Sequence, residues 1–165
     1  PDWRPVLDAL PVPIYTVDAE GAVTYWNRAC VEFAGREPQL GEDRWCVTWR
    51  LYTAEGSFLP HDQCPMAVAI REGRTIRGAS AVAERPDGTR VAFVPFPTPI
   101  FDADGQLIGA VNMLLEAASV RRSAHLLEQA ERCRRLAKTV DGDVSKTLKS
   151  MAADYEREAH ASILH

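Results

Sequence analysis

Residues 75–117 read TIRGASAVAERPDGTRVAFVPFPTPIFDADGQLIGAVNMLLEA. Apolar residues recur at every second position, the period of a half-buried strand. Two turn signals cut the stretch, Pro86-Asp87-Gly88 and Asp102-Ala103-Asp104-Gly105. Asp closes such turns with its own side chain and Gly accepts positive φ. Three antiparallel strands are therefore predicted. Pro95, Pro97 and Pro99 cannot donate to a ladder, so the middle strand is expected to be irregular or edge-like toward its end.

Upstream, IYTVDAEGAVTYWN predicts a β-hairpin, with strands Ile14–Val17 and Ala22–Trp26 around Asp18-Ala19-Glu20-Gly21. The preceding WRPVLDALPVP gives a short amphipathic helix with Val6, Leu7 and Leu10, stopped by Pro11 and Pro13. After the hairpin, Asn27 is an N-cap for a helix that buries Cys30, Phe33 and Ala34 and ends at Gly35. Residues 37–60 show no period and read as loops and short helical turns. HDQCPMAVAIREG then reads as a helix. Asp62 is its expected N-cap, Pro65 lies in the first turn, Met66, Ala67 and Ile70 form the apolar stripe, and Gly73 ends it.

The pattern changes after Ala117. Leu126, Ala130, Cys133, Ala137 and Val140 step by four and three, a heptad-like seam on a helix from about Val120 to Val140. Asp141-Gly142-Asp143 is the expected break, Gly142 closing one helix and Asp143 capping the next. Val144, Leu148, Met151, Tyr155 and Ala159 give a second amphipathic helix, making the tail a helical hairpin.

Composition narrows the function classes. The chain has 165 residues, long enough for a core without disulfides or structural metal. Its net charge of −4 lacks the basic footprint of a nucleic-acid binder. Arg121, Arg122, Arg132, Arg134 and Arg135 interleave with Glu128 and Glu131, as on a solvated helix face. No apolar run approaches the ~20 residues of a membrane span. The four cysteines, Cys30, Cys46, Cys64 and Cys133, form no Cys-x-x-Cys pair and read as reduced cytosolic thiols.

LPVPIYTVDAEGAVTYWNRACVEFAGR, REGRTIRG, ERPDGTRVAF and PIFDADGQLIGAVNML, in that order over about Asp8–Ala118, resemble a bacterial PAS sensor domain. The resemblance implies an α+β PAS fold: a five-stranded antiparallel sheet of order 2-1-5-4-3 with helices cupping one face. A C-terminal helical hairpin follows it here. The expected division is a PAS domain over residues 1–118, including the N-terminal helix, and a helical extension over 119–165. The chain reads as a free-standing sensor with that extension, or as a piece cut from something longer. The family implies sensing or protein–protein signalling, not catalysis, and no catalytic residue is assigned.

Single motifs bear on the ligand chemistry. Light-sensing, flavin-binding relatives carry Asn-Cys-Arg-Phe-Leu-Gln on a helix. Asn27-Arg28-Ala29-Cys30 displaces the thiol and lacks the rest, which argues against flavin and leaves Cys30 as a small buried apolar residue. Haem-binding members use an axial His, Cys or Met, and His61, Cys64 and Met66 start the helix that would face the sheet. A haem-bearing redox or gas sensor is therefore the alternative to a domain without cofactor. Zinc wants four ligands, and His61, Asp62 and Cys64 supply three from one turn, so no metal site is expected. His125 precedes Leu126-Leu127-Glu128 rather than a phosphoacceptor context, although an input fragment of a sensor histidine kinase is a further alternative.

The expected pocket lies between helices and sheet. Its candidate lining is Phe33, Trp45, Trp49, Met66, Ile70, Phe93, Val111 and Met113, with Asn112 or His61 as polar anchors. The sequence thus predicts a cytoplasmic, non-enzymatic sensory or adaptor protein. It would recognise a small molecule or signalling protein and pass the change to the C-terminal helices. A homodimer would form through the N-terminal helix, the exposed sheet face or the heptad seam.

Overall fold

The computed structural model describes residues 2–164. The chain divides into two units after Glu116. The first contains α1 (Arg4–Asp8), β1 (Ile14–Asp18), β2 (Val23–Trp26), α2 (Arg28–Ala34), β3 (Arg50–Tyr52) and β4 (Phe58–Leu59). A single 3-10 turn (His61–Gln63) follows, then α3 (Pro65–Glu72), β5 (Ala81–Glu84), β6 (Arg90–Pro95), β7 (Thr98–Phe101) and β8 (Leu107–Glu116).

The sheet is antiparallel throughout, in the order β2-β1-β8-β6-β5-β3-β4, with β7 also on β8. Its first five members are the expected 2-1-5-4-3 arrangement. The additions have local causes. Residues 50–59 form a small hairpin that continues the sheet beyond β5, where the sequence shows no alternation long enough to predict strands. The expected middle strand is β6 and β7 together, interrupted at Phe96-Pro97. That interruption is the irregularity the prolines predict, because neither Pro95 nor Pro97 can donate.

The hairpin between β1 and β2 forms as its turn chemistry requires. Asp18 Oδ1 accepts from the Glu20 and Ala22 N–H groups, and Gly21 takes φ 86°. Asn27 is fully buried and does more than cap α2. Its Oδ1 accepts from Cys30 N–H and Ile14 N–H. Its Nδ2 donates to Val12 O at 2.8 Å and Leu7 O at 3.0 Å. One amide therefore joins α2, β1 and the segment behind α1. The expected apolar burial of α1 does not occur within this unit: none of its residues is buried, and Val6 is 66% exposed.

The start of α3 also differs from expectation. Cys64 is the N-cap position and Pro65 is the first helical residue. Asp62 lies in the preceding 3-10 turn, and no side chain caps the helix. Proline at the first position needs no N–H and fixes its own φ, so it defines the boundary ahead of the carboxylate. The core then forms between α2, α3 and one face of the sheet. Phe33 of α2 meets Phe93 of β6 edge-on at 5.4 Å.

The second unit is a helical hairpin of α4 (Ala117–Ala137) and α5 (Gly142–Leu164). The predicted seam holds for Leu126, Ala130, Cys133 and Ala137, all buried. Val140 lies past the helix end. Gly142 takes φ 67° but opens α5 rather than closing α4, and Asp143 sits in the first turn of α5. Across the seam, Ala130 and Cys133 pack with Leu148, Ala152 and Tyr155, while Met151 is exposed. Exposed ion pairs such as Arg122–Glu158 at 2.8 Å border the seam and contribute little. Among the described residues, no helix is long and apolar enough to cross a membrane.

Candidate functional site

The interior of the cup contains a polar network among apolar walls. Tyr15 of β1 is fully buried, and its Oη donates to the Trp45 carbonyl at 2.9 Å. Asn112 of β8 donates from Nδ2 to Tyr15 Oη at 3.1 Å. Its Oδ1 accepts from Phe96 N–H at 2.9 Å, at the break between β6 and β7. The Cys64 thiol, at the α3 boundary, donates to the same Trp45 carbonyl at 3.8 Å. Two strands, a strand break, a loop and a helix start therefore share one chain of hydrogen bonds.

Burial sets the protonation of these groups. It pushes Tyr15 well above the usual phenol range, with Cys46 and Cys64 adding to the effect. It pushes Cys64 up to about 12 and raises Cys46. All three are held neutral, Tyr15 and Cys64 as hydrogen-bond donors, rather than as anionic nucleophiles or thiolate ligands. Trp45 supplies the strained element. It takes φ 67°, the one positive φ outside glycine among the described residues. A non-glycine residue there costs of order 1–3 kcal/mol and persists only where its surroundings fix it. Here Trp45 N–H donates to Gly21 O at 2.7 Å, and the indole covers Gly21 so closely that a Cβ there would overlap the ring.

A second feature lies between the β3–β4 hairpin and the 3-10 turn. Trp49, Arg50, Phe58, Leu59 and His61 line a cavity of about 130 Å3. His61 Nε2 is buried and finds no hydrogen-bond partner among the described residues. Burial lowers the His61 pKa, with Asp43 opposing. The Arg50 guanidinium lies 4.1 Å from the Trp49 ring centroid.

The ten expected site residues thus separate into three groups. Phe33, Met66, Ile70 and Phe93 belong to the filled core, with Trp45 at its margin and Asn112 in the polar network. Trp49 and His61 meet at the small cavity instead. Val111 and Met113 are a correction. Tyr15 opposes Asn112 in the ladder, so the period of two turns Val111 and Met113 to the other face of the sheet. Sequence reasoning missed Tyr15, Cys46, Arg50, Phe58 and Leu59. The inward position of Tyr15 was legible from the alternation of IYTVD, whereas the other four lie outside any long periodic segment. Among the described residues, no three His, Cys, Asp or Glu side chains come together as a metal site.

Comparison with known proteins adds three findings. A family profile described as PAS fold matches residues 7–122. The LOV protein of Rhodobacter sphaeroides is 15% identical, with 96% of this chain and 92% of that chain covered at a TM-score of 0.51. The PAS domain of the fruit-fly ELK potassium channel is 9% identical, with 68% and 92% covered at a TM-score of 0.51. No curated protein sequence matches the chain.

The LOV likeness overturns the expectation against flavin, which rested on one local motif. The fold is shared with LOV proteins although the motif is not, because the cup is set by layer packing rather than by one thiol. As arranged here, the cup interior is taken by Tyr15, Leu51, Met66 and Leu114, each almost fully buried, and a three-ring system fits only if they move. The Cys30 thiol donates to Ile14 O.

Proposed function

The chain belongs to the PAS fold family, and from that premise we propose that it is a non-enzymatic, cytoplasmic sensory module. Occupation of its helix–sheet cup by a small molecule, or contact with a signalling protein, alters the packing of the C-terminal helices. One observation supports this reading above the rest. β8 is paired on both edges, by β1 and by β6 and β7, and α4 begins at the very next residue, Ala117. Asn112, on the inner face of that strand, ties it to Tyr15 and Phe96. A rearrangement of the cup therefore has a covalent, hydrogen-bonded route toward α4. The response is a population shift between packing states, with a size limited by the ligand's preference for one of them. Association into a homodimer through the N-terminal helix or the exposed sheet face is part of the same proposal, since α5 already covers the α4 seam.

A flavin in the cup is the second reading, favoured by the likeness to the Rhodobacter sphaeroides protein along both units. Native mass spectrometry of protein isolated from its own host tests both. A co-purifying small molecule or partner protein supports the sensory reading, and visible flavin absorbance identifies the second. A bare chain of 18.3 kDa that no metabolite or partner stabilises contradicts both.

A further inference from the structure

The cavity beside the β3–β4 hairpin has unused binding capacity. A buried polar atom without a partner is destabilising, and His61 Nε2 is such an atom among the described residues. Trp49 and Phe58 line the same cavity while 39% and 62% exposed, large apolar surfaces for a short hairpin. The third sign is electrostatic. Glu84 is held by Arg90 at 2.7 Å and reaches Arg50 only at 3.8 Å, so the Arg50 cation is left weakly paired. Arg50 is also pre-oriented by stacking on the Trp49 ring.

Size and chemistry then restrict the occupant. At ~10–15 Å3 per water-sized probe, the cavity takes on the order of ten such volumes, enough for one six-membered ring with a substituent. Its apolar walls, Trp49, Phe58 and Leu59, suit a flat ring. Its polar groups are one guanidinium and one imidazole nitrogen. A cation would be repelled by Arg50, and a dianion would leave one charge without a counterpart.

We propose that this cavity binds a small aromatic monocarboxylate, with its ring against Phe58 and Leu59 and its carboxylate between Arg50 and His61 Nε2. Arg50 presents paired N–H donors to the two oxygens. The neutral His61 imidazole donates from Nε2. The site lies on the hairpin that extends the sheet beyond β5, separate from the Tyr15–Asn112 network. Binding stands independently of the sensory reading, and only its consequence for the C-terminal helices rests on that reading.

Benzoate is the probe, titrated into the full chain with the Trp49 indole N–H and His61 imidazole followed by NMR. For a ligand this small, saturable binding is expected with Kd on the order of 1 mM. Benzamide, which keeps the ring and loses the charge, binds at least about tenfold more weakly, as does benzoate to Arg50→Gln. Leu59→Trp, which fills the cavity, abolishes the response while circular dichroism shows a folded protein. Absence of saturation at tens of millimolar (~50 times the expected Kd) overturns the proposal. Equal affinity for benzamide, or unchanged affinity in folded Arg50→Gln, overturns it as well. Benzoate binding with no change in α4 would leave the site standing as one not coupled to the C-terminal helices. No binding, with α4 still responding to substitutions at Asn112, would overturn the site and leave the sensory reading standing.

Discussion

Asn112 Nδ2 donates to Tyr15 Oη at 3.1 Å, joining two residues 97 positions apart on neighbouring strands inside the cup. The contact makes Tyr15 both acceptor and donor, since its own O–H donates to the Trp45 carbonyl. The pair acts as a register mark between β1 and β8. It also couples both strands to the strained loop at Trp45.

Tyr15→Phe removes one oxygen, leaving Asn112 Nδ2 without its partner and Trp45 O with only the weak Cys64 thiol donor. The expected loss is about 1–3 kcal/mol, the cost of buried unsatisfied groups. Urea denaturation of Tyr15→Phe, Asn112→Leu and the double variant measures the coupling. Neighbours in one network should deviate from additivity by about 0.5 kcal/mol or more. Strict additivity would show that the two side chains do not act together.

Asn27→Ala should be more damaging than loss of an ordinary cap. An N-cap alone is worth about 1 kcal/mol. Here the same amide also holds Ile14 N–H, Val12 O and Leu7 O. Adding about 1–3 kcal/mol for buried groups left unpaired places the total at roughly 2–4 kcal/mol. Thr24→Ala, which breaks an exposed hydroxyl pair with Thr16, serves as the control and should change the urea midpoint little.

Gly21 and Gly105 take nearly the same backbone angle, φ 86° and 78°. A Cβ at Gly105 meets open space, whereas one at Gly21 meets the Trp45 indole. Gly105→Ala should therefore cost only the conformational term of about 1 kcal/mol. Gly21→Ala should cost clearly more and shift the tryptophan fluorescence, because the ring must leave its seat. Equal thermal shifts for the two variants would show that Trp45 does not depend on Gly21.

Much of this structure could be read from alternation and turn chemistry, and the limits have physical causes. The β1–β2 hairpin, the α2 caps and the three later strands all announce themselves locally through Asp, Asn, Gly and a period of two. The β3–β4 hairpin does not. Arg50–Tyr52 and Phe58–Leu59 are too short to show a period, and they are strands because β5 offers an edge. The pocket expectation failed at Val111 and Met113 for a different reason. The alternation was visible, but its phase is set by the partner strand, and Tyr15 opposite Asn112 decides it. Residue preference favours Asp62 as the cap, while Pro65 at the first helical position determines the boundary.

His61 gives a pH dependence with a definite sign. Burial lowers its folded pKa below the ordinary value of 6.5. Between those two values the unfolded chain binds more protons than the folded one, so stability rises with pH there. The contribution is fully present above 6.5 and is lost as pH falls through this window. Chemical denaturation from pH 7 downward should show a shallower decline for His61→Gln than for the wild type. Parallel curves would show that the imidazole titrates as it does in the unfolded chain.

Transmission from the cup to the helices is tested most directly by hydrogen exchange on the full chain, comparing the wild type with Asn112→Leu under conditions where both are folded. If the inner face of β8 communicates with α4, amides across residues 117–137 should change their exchange by about threefold or more, together with those of β1 and β8. Changes that stop at Glu116, with α4 and α5 exchanging as in the wild type, would contradict it.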